Sequence, residues 1–329
     1  MTGGIAVFYQ IAARLRELGL DVALTGAETA PGLKTQAGNG FAVMPWDAVS
    51  GRKGASFLRE TDLLLIAEGW PNMMAPALAV KARTLVYAQN WAYVFSALPE
   101  GASWERLPAA FLAVSHPVAR FVETMAKLPL AGIARPSIDT ARFHPGSREG
   151  GKTVRVAWMP RKNKALAEQI MRITEALDTK GKPRIERVVI HNMPPDEVAR
   201  TLGSCHIFLA SGFPEGCPLP PLEAMASGCL VVGFSGFGGW DYMRQAEPGR
   251  YVPRVDLRPV PWNGNGLFAS DGDVVEAAFL LGHAVAMVRE NGPAYAAIRE
   301  QALVTAAAYS ADAQREEVRA VWSLLEAGS

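Results

Sequence analysis

Charge of either sign is not in excess: 33 Lys plus Arg stand against 32 Asp plus Glu in 329 residues. A nucleic-acid partner is therefore not expected, because such proteins gather a basic surplus on one face. No apolar run reaches the roughly 20 residues of a membrane-spanning helix, so any membrane association is expected to be peripheral at most. The opening residues MTGGIAVFY lack a basic region and a small-residue cleavage site, and no secretory signal is expected. The three cysteines, Cys205, Cys217 and Cys229, include no C-x-x-C pair. They are expected to be reduced, buried small residues rather than disulfides or metal ligands. Low-complexity tracts and fixed-period repeats are lacking too. What remains is ordinary globular composition, 49% hydrophobic and 20% charged. The length suits about two domains, and a cytoplasmic location is the expectation.

Short apolar runs alternate with stretches of helical period. The runs are 21–25, 41–45, 62–67, 84–88, 111–114, 154–158, 187–190, 206–210 and 230–234, and several are apolar almost throughout, as strands of a parallel sheet covered on both faces are. Helices are predicted over 5–18, 117–126, 164–177, 195–202 and 221–226, then over 274–288, 294–308 and 313–325. Strand–helix alternation of this kind specifies doubly wound α/β sheets, whose ligands sit at the carboxyl ends of the strands. The segment 144–153 (HPGSREGGKT) breaks the pattern with Pro, Gly and charge and reads as a linker. Domains are accordingly expected at 1–146 and 147–309, with a last helix in 310–329.

The segment 206–228, HIFLASGFPEGCPLPPLEAMASG, holds the most chemistry. A strand runs into a loop with Gly212 and Gly216, and Pro220-Pro221 then opens a short helix that stops at Gly228. Such a loop brings backbone N–H groups and a helix N-terminus to a strand end, a site for phosphate or another anion. Pro218 has no N–H, which leaves Cys217 and Leu219 as donors. Glu215 and Glu223 bracket the loop. Glu223 is expected in the first helical turn, where the dipole favours it. Both carboxylates suit hydroxyl groups of a sugar or ribose better than phosphate.

Glu215 and Glu223, with seven residues between them and followed by A-M-A-S-G, resemble the signature of retaining GT-B glycosyltransferases of family four. Gly3-Gly4 ahead of an amphipathic helix resembles that family's opening G-G loop. Residues 137–145 (SIDTARFHP) resemble the segment that closes its first domain. The resemblance implies a GT-B architecture of two doubly wound, Rossmann-like domains facing across a cleft. The C-terminal domain would bind a nucleotide sugar, the N-terminal one the acceptor, and the last helix would cross back to the N-terminal domain. It implies that Glu215 contacts the donor sugar, that Glu223 contacts the ribose, and that the amides of Gly216, Cys217 and Leu219 around Pro218 hold the diphosphate. Residues 154–164 (VRVAWMPRKNK) fall where the family places its diphosphate-binding cations. Arg161 and Lys164 match those cations, and Lys162 is a further candidate because Pro160 and the short spacing depart from the family pattern. Cleavage of a sugar–phosphate bond leaves negative charge on the departing diphosphate, which such cations and N–H groups stabilise. An exposed basic turn is the alternative.

The remaining candidates are weaker. Asp271-Gly272-Asp273 superficially matches a metal-binding D-x-D, but Asp273 with Glu276 reads as a helix cap and no metal is expected. The glycines of 233–239 lack dinucleotide spacing and are expected in a loop lining the donor pocket. On the acceptor side the candidates are Gly3, Gly4, Gln89, Asn90 and His116; Gln89-Asn90 stands where family members often carry a histidine. His191 begins the loop after 187–190 and is a candidate nucleotide contact. Trp91, Tyr93, Phe95 and Trp104 are expected to be core, with the lining of an acceptor site as the alternative. The expected reaction is metal- and cofactor-independent hexosyl transfer, with retention, from a nucleotide sugar to a glycan, lipid or small-molecule acceptor. Alternatives are a sugar-nucleotide epimerase on the same fold and a non-catalytic binding subunit; a dehydrogenase ranks last. No predicted strand precedes helix 5–18, so the first sheet is expected either to close over a gap or to leave a slot, and its domain to be the less stable.

Overall fold

A computed structural model of the chain describes residues 3–26, 32–51, 57–148, 153–178 and 184–327. The chain divides into two compact units, Met1–Ser137 with Asp312–Ser329, and Ile138–Ala311. The division falls at Ser137/Ile138, and residues 149–152 of the predicted linker lie outside the described residues.

The first unit opens with α1 (Gly3–Glu17), whose Val7, Ile11 and Leu15 recur at helical spacing and are buried. Gly3 and Gly4, expected as a loop, form its first turn instead. There Gly4 comes close to Gln89: a Cβ on Gly4 would stand 2.5 Å from Gln89 Oε1, and Gln89 Nε2 donates to the Gly4 carbonyl at 3.0 Å. Next come β1 (Ala23–Gly26), α2 (Leu33–Gly38), β2 (Ala42–Pro45) and α3 (Trp46–Val49). They are followed by β3 (Leu63–Ala67), α4 (Ala75–Val80), β4 (Arg83–Ala88), α5 (Tyr93–Ser96), β5 (Ala109–Ala113), α6 (His116–Arg120) and β6 (Leu130–Ile133). All pairings are parallel, but the strands form two sheets, β1-β2 and β3-β4-β5-β6. Among the described residues β1 and β3 do not pair, so the strands do not close into one sheet. The helix predicted over 117–126 is α6 plus a wider turn, Phe121–Met125, closed by Ala126 N–H donating to the Phe121 carbonyl.

The second unit contains β7 (Thr153–Trp158), α7 (Lys164–Leu177), β8 (Arg184–Val189), α8 (Pro195–Gly203), β9 (Ile207–Ala210), α9 (Leu219–Ala226), β10 (Leu230–Phe234), β11 (Gly266–Ala269), α10 (Val274–Glu290) and α11 (Pro293–Ala307). Its single parallel sheet has the order β11-β10-β9-β7-β8. β9, β10 and β11 are buried at every residue. Their continuous apolar runs follow from cover on both faces: Ile170, Met171, Leu280 and Leu281 of α7 and α10 pack in one core, and Leu202, Leu222, Met225 and Ala302 of α8, α9 and α11 in the other. The chain's winding reverses between β7 and β9, the place where a doubly wound sheet offers its ligand crevice.

The last helix, α12 (Ala311–Ala327), belongs to the first unit from Asp312 on. Glu317 accepts from the Arg135 backbone N–H (2.8 Å) and pairs with its guanidinium (2.6 Å), and Gln314 Nε2 donates to the Arg135 carbonyl (2.8 Å). Among the described residues no helix is long and apolar enough to cross a membrane.

Candidate active site

The carboxyl ends of β7 and β9 converge on one pocket of the second unit. Met159, Arg161 and Lys162 line it from the β7 side, and Gly212, Glu215 and Pro218 from the β9 side, over a floor that includes Phe234. Asn163 holds the two loops together. Its backbone is left-handed (φ 55°), and its Nδ2 donates to the carbonyls of Ser211 and Phe213, each at 3.0 Å. Lys162 Nζ reaches Glu215 Oε1 at 2.8 Å and also donates to the Pro214 carbonyl at 2.8 Å. A cation and a carboxylate therefore meet inside the pocket.

Phe234 is the residue of segment 233–239 that lines the pocket; the glycines around it do not, and Gly236 and Gly238 brace the Glu215 loop from behind. Glu215 N–H donates to the Gly236 carbonyl (2.9 Å), and Gly238 N–H donates to the Glu215 carbonyl (3.0 Å). A Cβ on Gly238 would stand 2.0 Å from the Gly216 carbonyl oxygen, so only glycine permits the approach. Gly236 N–H in turn donates to Asp271 Oδ1 at 2.9 Å, and burial raises the Asp271 carboxyl above its ordinary value. Asp273 accepts from Glu276 N–H at 3.0 Å and caps α10. Both carboxylates of the D-x-D are thus engaged in holding the backbone.

Arg161 and Lys162 stand at the pocket, whereas Lys164 does not. It is the first residue of α7, its side chain is 65% exposed, and it pairs with Glu168 one helical turn on, at 3.7 Å. Glu223 also departs from expectation. α9 starts at Leu219, two residues early, which places Glu223 in the second turn rather than the first. Burial raises its carboxyl to about 7, with the Arg142 charge pulling the other way. Arg142 is itself held by Asp196 at 2.9 Å. His191 is exposed in the turn after β8 and lies outside the pocket lining. Cys205, Cys217 and Cys229 are free thiols, the first and last of them buried.

In the first unit the carboxyl ends of β3 and β4 bring together a second polar cluster. Glu68, directly after β3, is 3% exposed, and its two oxygens accept from the backbone N–H groups of Gln89 (3.1 Å) and Asn90 (2.8 Å). Burial raises its carboxyl to about 7 against the effect of those donors. Glu68 was not a candidate in the sequence. The available signal is an acidic residue that ends the apolar run LLLIA. His116 is the first residue of α6, whose cap is Ser115, with Oγ accepting from Val118 N–H at 3.3 Å. Of the four aromatics expected in the core, Trp104 is there, edge-on to Phe111. Trp91 and Phe95 rest on Phe121, and Tyr93 and Phe95 are about half exposed, because the short α5 has one buried residue, Val94.

Comparison with known proteins agrees with this geometry. The family described as glycosyl transferases group 1 matches residues 149–259, the stretch that builds the pocket. An alpha-1,6-glucosyltransferase of Actinobacillus pleuropneumoniae serotype 7 (strain AP76) is 41% identical over 56 residues, 17% of each chain. The match thus spans under a fifth of that relative's length. Among solved structures, a glycosyltransferase from Rickettsia africae ESF-5 superposes with TM-score 0.66 at 11% identity, over 98% of this chain and 96% of that one. A sucrose-phosphate synthase from Thermosynechococcus elongatus gives 0.64 at 13% identity, over 100% and 94%. The fold is the GT-B type, with two α/β units of parallel sheet. The family match lies within the second unit, and the likeness to the solved structures is one of fold.

Proposed function

We propose that the protein transfers a sugar from a nucleoside diphosphate donor to an acceptor hydroxyl with retention of anomeric configuration, the second unit binding the donor and the first the acceptor. The observation that carries this reading is the Lys162–Glu215 pair, at 2.8 Å, beside Arg161 at the winding reversal of a doubly wound sheet. Arg161 and Lys162 meet the diphosphate, where the leaving group's negative charge grows as the sugar–phosphate bond breaks; preorganised cations and N–H groups are worth several kcal/mol there. Glu215, fixed at its backbone, accepts from hydroxyls of the departing sugar. Glu223 accepts from the ribose, and the Cys217 and Leu219 amides complete the phosphate contacts. The acceptor is a glycan, lipid or small molecule whose hydroxyl attacks from the leaving-group face and passes its proton to the diphosphate. Because Asp271 and Asp273 are engaged in the brace and the cap, transfer should survive EDTA. Neither an epimerase nor a non-catalytic subunit gains support from the geometry.

A thermal-shift panel of UDP-, GDP- and ADP-sugars tests the reading. A donor at ~100 times its dissociation constant adds about 2.7 kcal/mol of stability. Glu215→Ala and Arg161→Ala should keep the unliganded melting temperature within a few degrees and lose both the donor-induced shift and turnover. No shift in the wild type with any donor overturns the proposal. An inverted product anomer, read by NMR, would remove retention alone.

A further inference from the structure

Tyr242 is fully buried, on the short strap that follows the glycine segment. Its hydroxyl donates to the Pro218 carbonyl at 2.7 Å. Its backbone N–H donates to the Gly239 carbonyl at 3.0 Å, and its carbonyl and ring are held outside the donor loop. Trp262 Nε1 and Asn265 Nδ2 both donate to its carbonyl at 2.8 Å, and its ring packs edge-on against Tyr309, with centroids 5.5 Å apart. Tyr309 in turn donates to the buried carboxylate of Asp241, and Arg258 donates to the Tyr309 hydroxyl at 3.2 Å and to the Asp241 carbonyl at 3.0 Å. The hydroxyl is therefore presented to Pro218 from a fixed point. Burial also keeps the phenol's pKa well above its ordinary value, so it remains a donor.

The Pro218 carbonyl and the Leu219 N–H belong to one planar trans peptide unit, and the two bonds point in opposite directions. Fixing the carbonyl inward onto a buried hydroxyl turns the N–H outward. Pro218 caps α9 and Leu219 opens it, while Pro220 and Pro221 contribute no N–H. Leu219 is thus the amide that the first three positions of α9 offer. We propose that Tyr242 is a positioning residue for the donor: it sets the Pro218–Leu219 peptide so that the Leu219 N–H faces a phosphate of the nucleotide. The inference rests on the donor reading of the second unit, and it adds a residue 23 positions beyond the loop that it orients.

A two-by-two set of full-length variants tests it, with UDP, GDP and ADP as probes in titration calorimetry. Tyr242→Phe removes only the hydroxyl. Leu219→Pro removes the N–H at a helix position that tolerates proline. With a hydrogen bond worth about 1 kcal/mol, each single variant should bind the nucleotide that the wild type prefers about three- to tenfold more weakly. The double variant should bind no more than twofold more weakly than Leu219→Pro, because both changes delete one interaction. Wild-type affinity in Tyr242→Phe, or losses that multiply in the double variant, overturns the proposal. If Tyr242→Phe does not fold, wild-type affinity in Leu219→Pro overturns it. Failure of all three nucleotides to bind the wild type at millimolar concentration instead removes the donor reading beneath it.

Discussion

Replacing Glu68 by glutamine isolates what a buried carboxylate does to the first unit. Burial raises Glu68 from its ordinary 4.5 to about 7, against the pull of the Gln89 and Asn90 N–H donors. The folded value lies above the unfolded one, so between these pH values the folded protein holds a proton that the unfolded chain has released. The stability contributed by this group is fully present below about pH 4.5 and is lost as the pH rises through about 7. At about 1.4 kcal/mol per pKa unit, the loss reaches about 3 kcal/mol by pH 8. Glutamine does not titrate and escapes that loss, but its amide turns an NH₂ toward one of the two backbone donors. That mismatch costs about 1–3 kcal/mol and does not vary with pH. Glu68→Gln should therefore be less stable than the wild type at pH 5 and equal to it or more stable at pH 8. Chemical denaturation of both proteins at the two pH values reads the difference, in which other titrating groups cancel. The gap between them should move by about 3 kcal/mol. Parallel stability–pH curves would show that Glu68 is ionised at its ordinary value and would refute the reasoning.

Further expectations concern the two lysines, the glycine brace and the two-stranded sheet. Lys164→Ala should change stability by less than about 0.5 kcal/mol, since it removes one exposed pair along a helix, and should leave the donor-induced thermal shift intact; Lys162→Ala should abolish that shift. Gly238→Ala should lower stability by at least about 2–3 kcal/mol, because its Cβ would lie 2.0 Å from the Gly216 carbonyl oxygen and two loops must part to admit it. Amides of β1, in a sheet of two strands with no buried residue in β1, should exchange with solvent well before those of β7, which has a partner on each side. Equal protection would show that β1 has further support.

The elements that the sequence displays clearly are those whose residues obey one dominant force. β9 and β10 read as strands because both of their faces are buried, and α7 reads as a helix because its apolar residues keep to one stripe. β8 begins at Arg184, earlier than the apolar run at 187–190 suggests, because a sheet edge does not require apolar residues. β6 and β11 have no counterpart among the predicted apolar runs. In the site, Glu215, Arg161 and Lys162 are legible because strand, loop and charge follow one another within a few residues. Tyr242 and Glu68 are not. Each acts on a backbone group more than 20 residues away, and no local spacing encodes a hydrogen bond to a distant backbone group. The glycine segment illustrates a third case. Its glycines are conspicuous in the sequence, but whether they line a pocket or back a loop depends on which neighbour they approach.

On the proposed reading a carboxylate stands beside a diphosphate, an electrostatic conflict to which the placing of Glu215 and Lys162 is the answer. Glu215 is held at its backbone by the Gly236 carbonyl and the Gly238 N–H, so the course of its backbone does not depend on Lys162. Lys162, by contrast, takes both of its contacts, Glu215 and the Pro214 carbonyl, from the same loop. On the proposed reading, a diphosphate brings more negative charge than the single carboxylate it competes with. At an effective dielectric constant of about 20, unit charges 4 Å apart interact by about 4 kcal/mol, so the mobile cation gains by turning toward the phosphates. The Glu215 carboxylate then faces the donor sugar and regains hydrogen bonds from its hydroxyls. The exchange balances only for a ligand that carries both groups. A nucleoside monophosphate offers less charge to Lys162 and no sugar to Glu215, so it should bind this pocket more weakly than the complete donor, and by more than the loss of one phosphate contact alone.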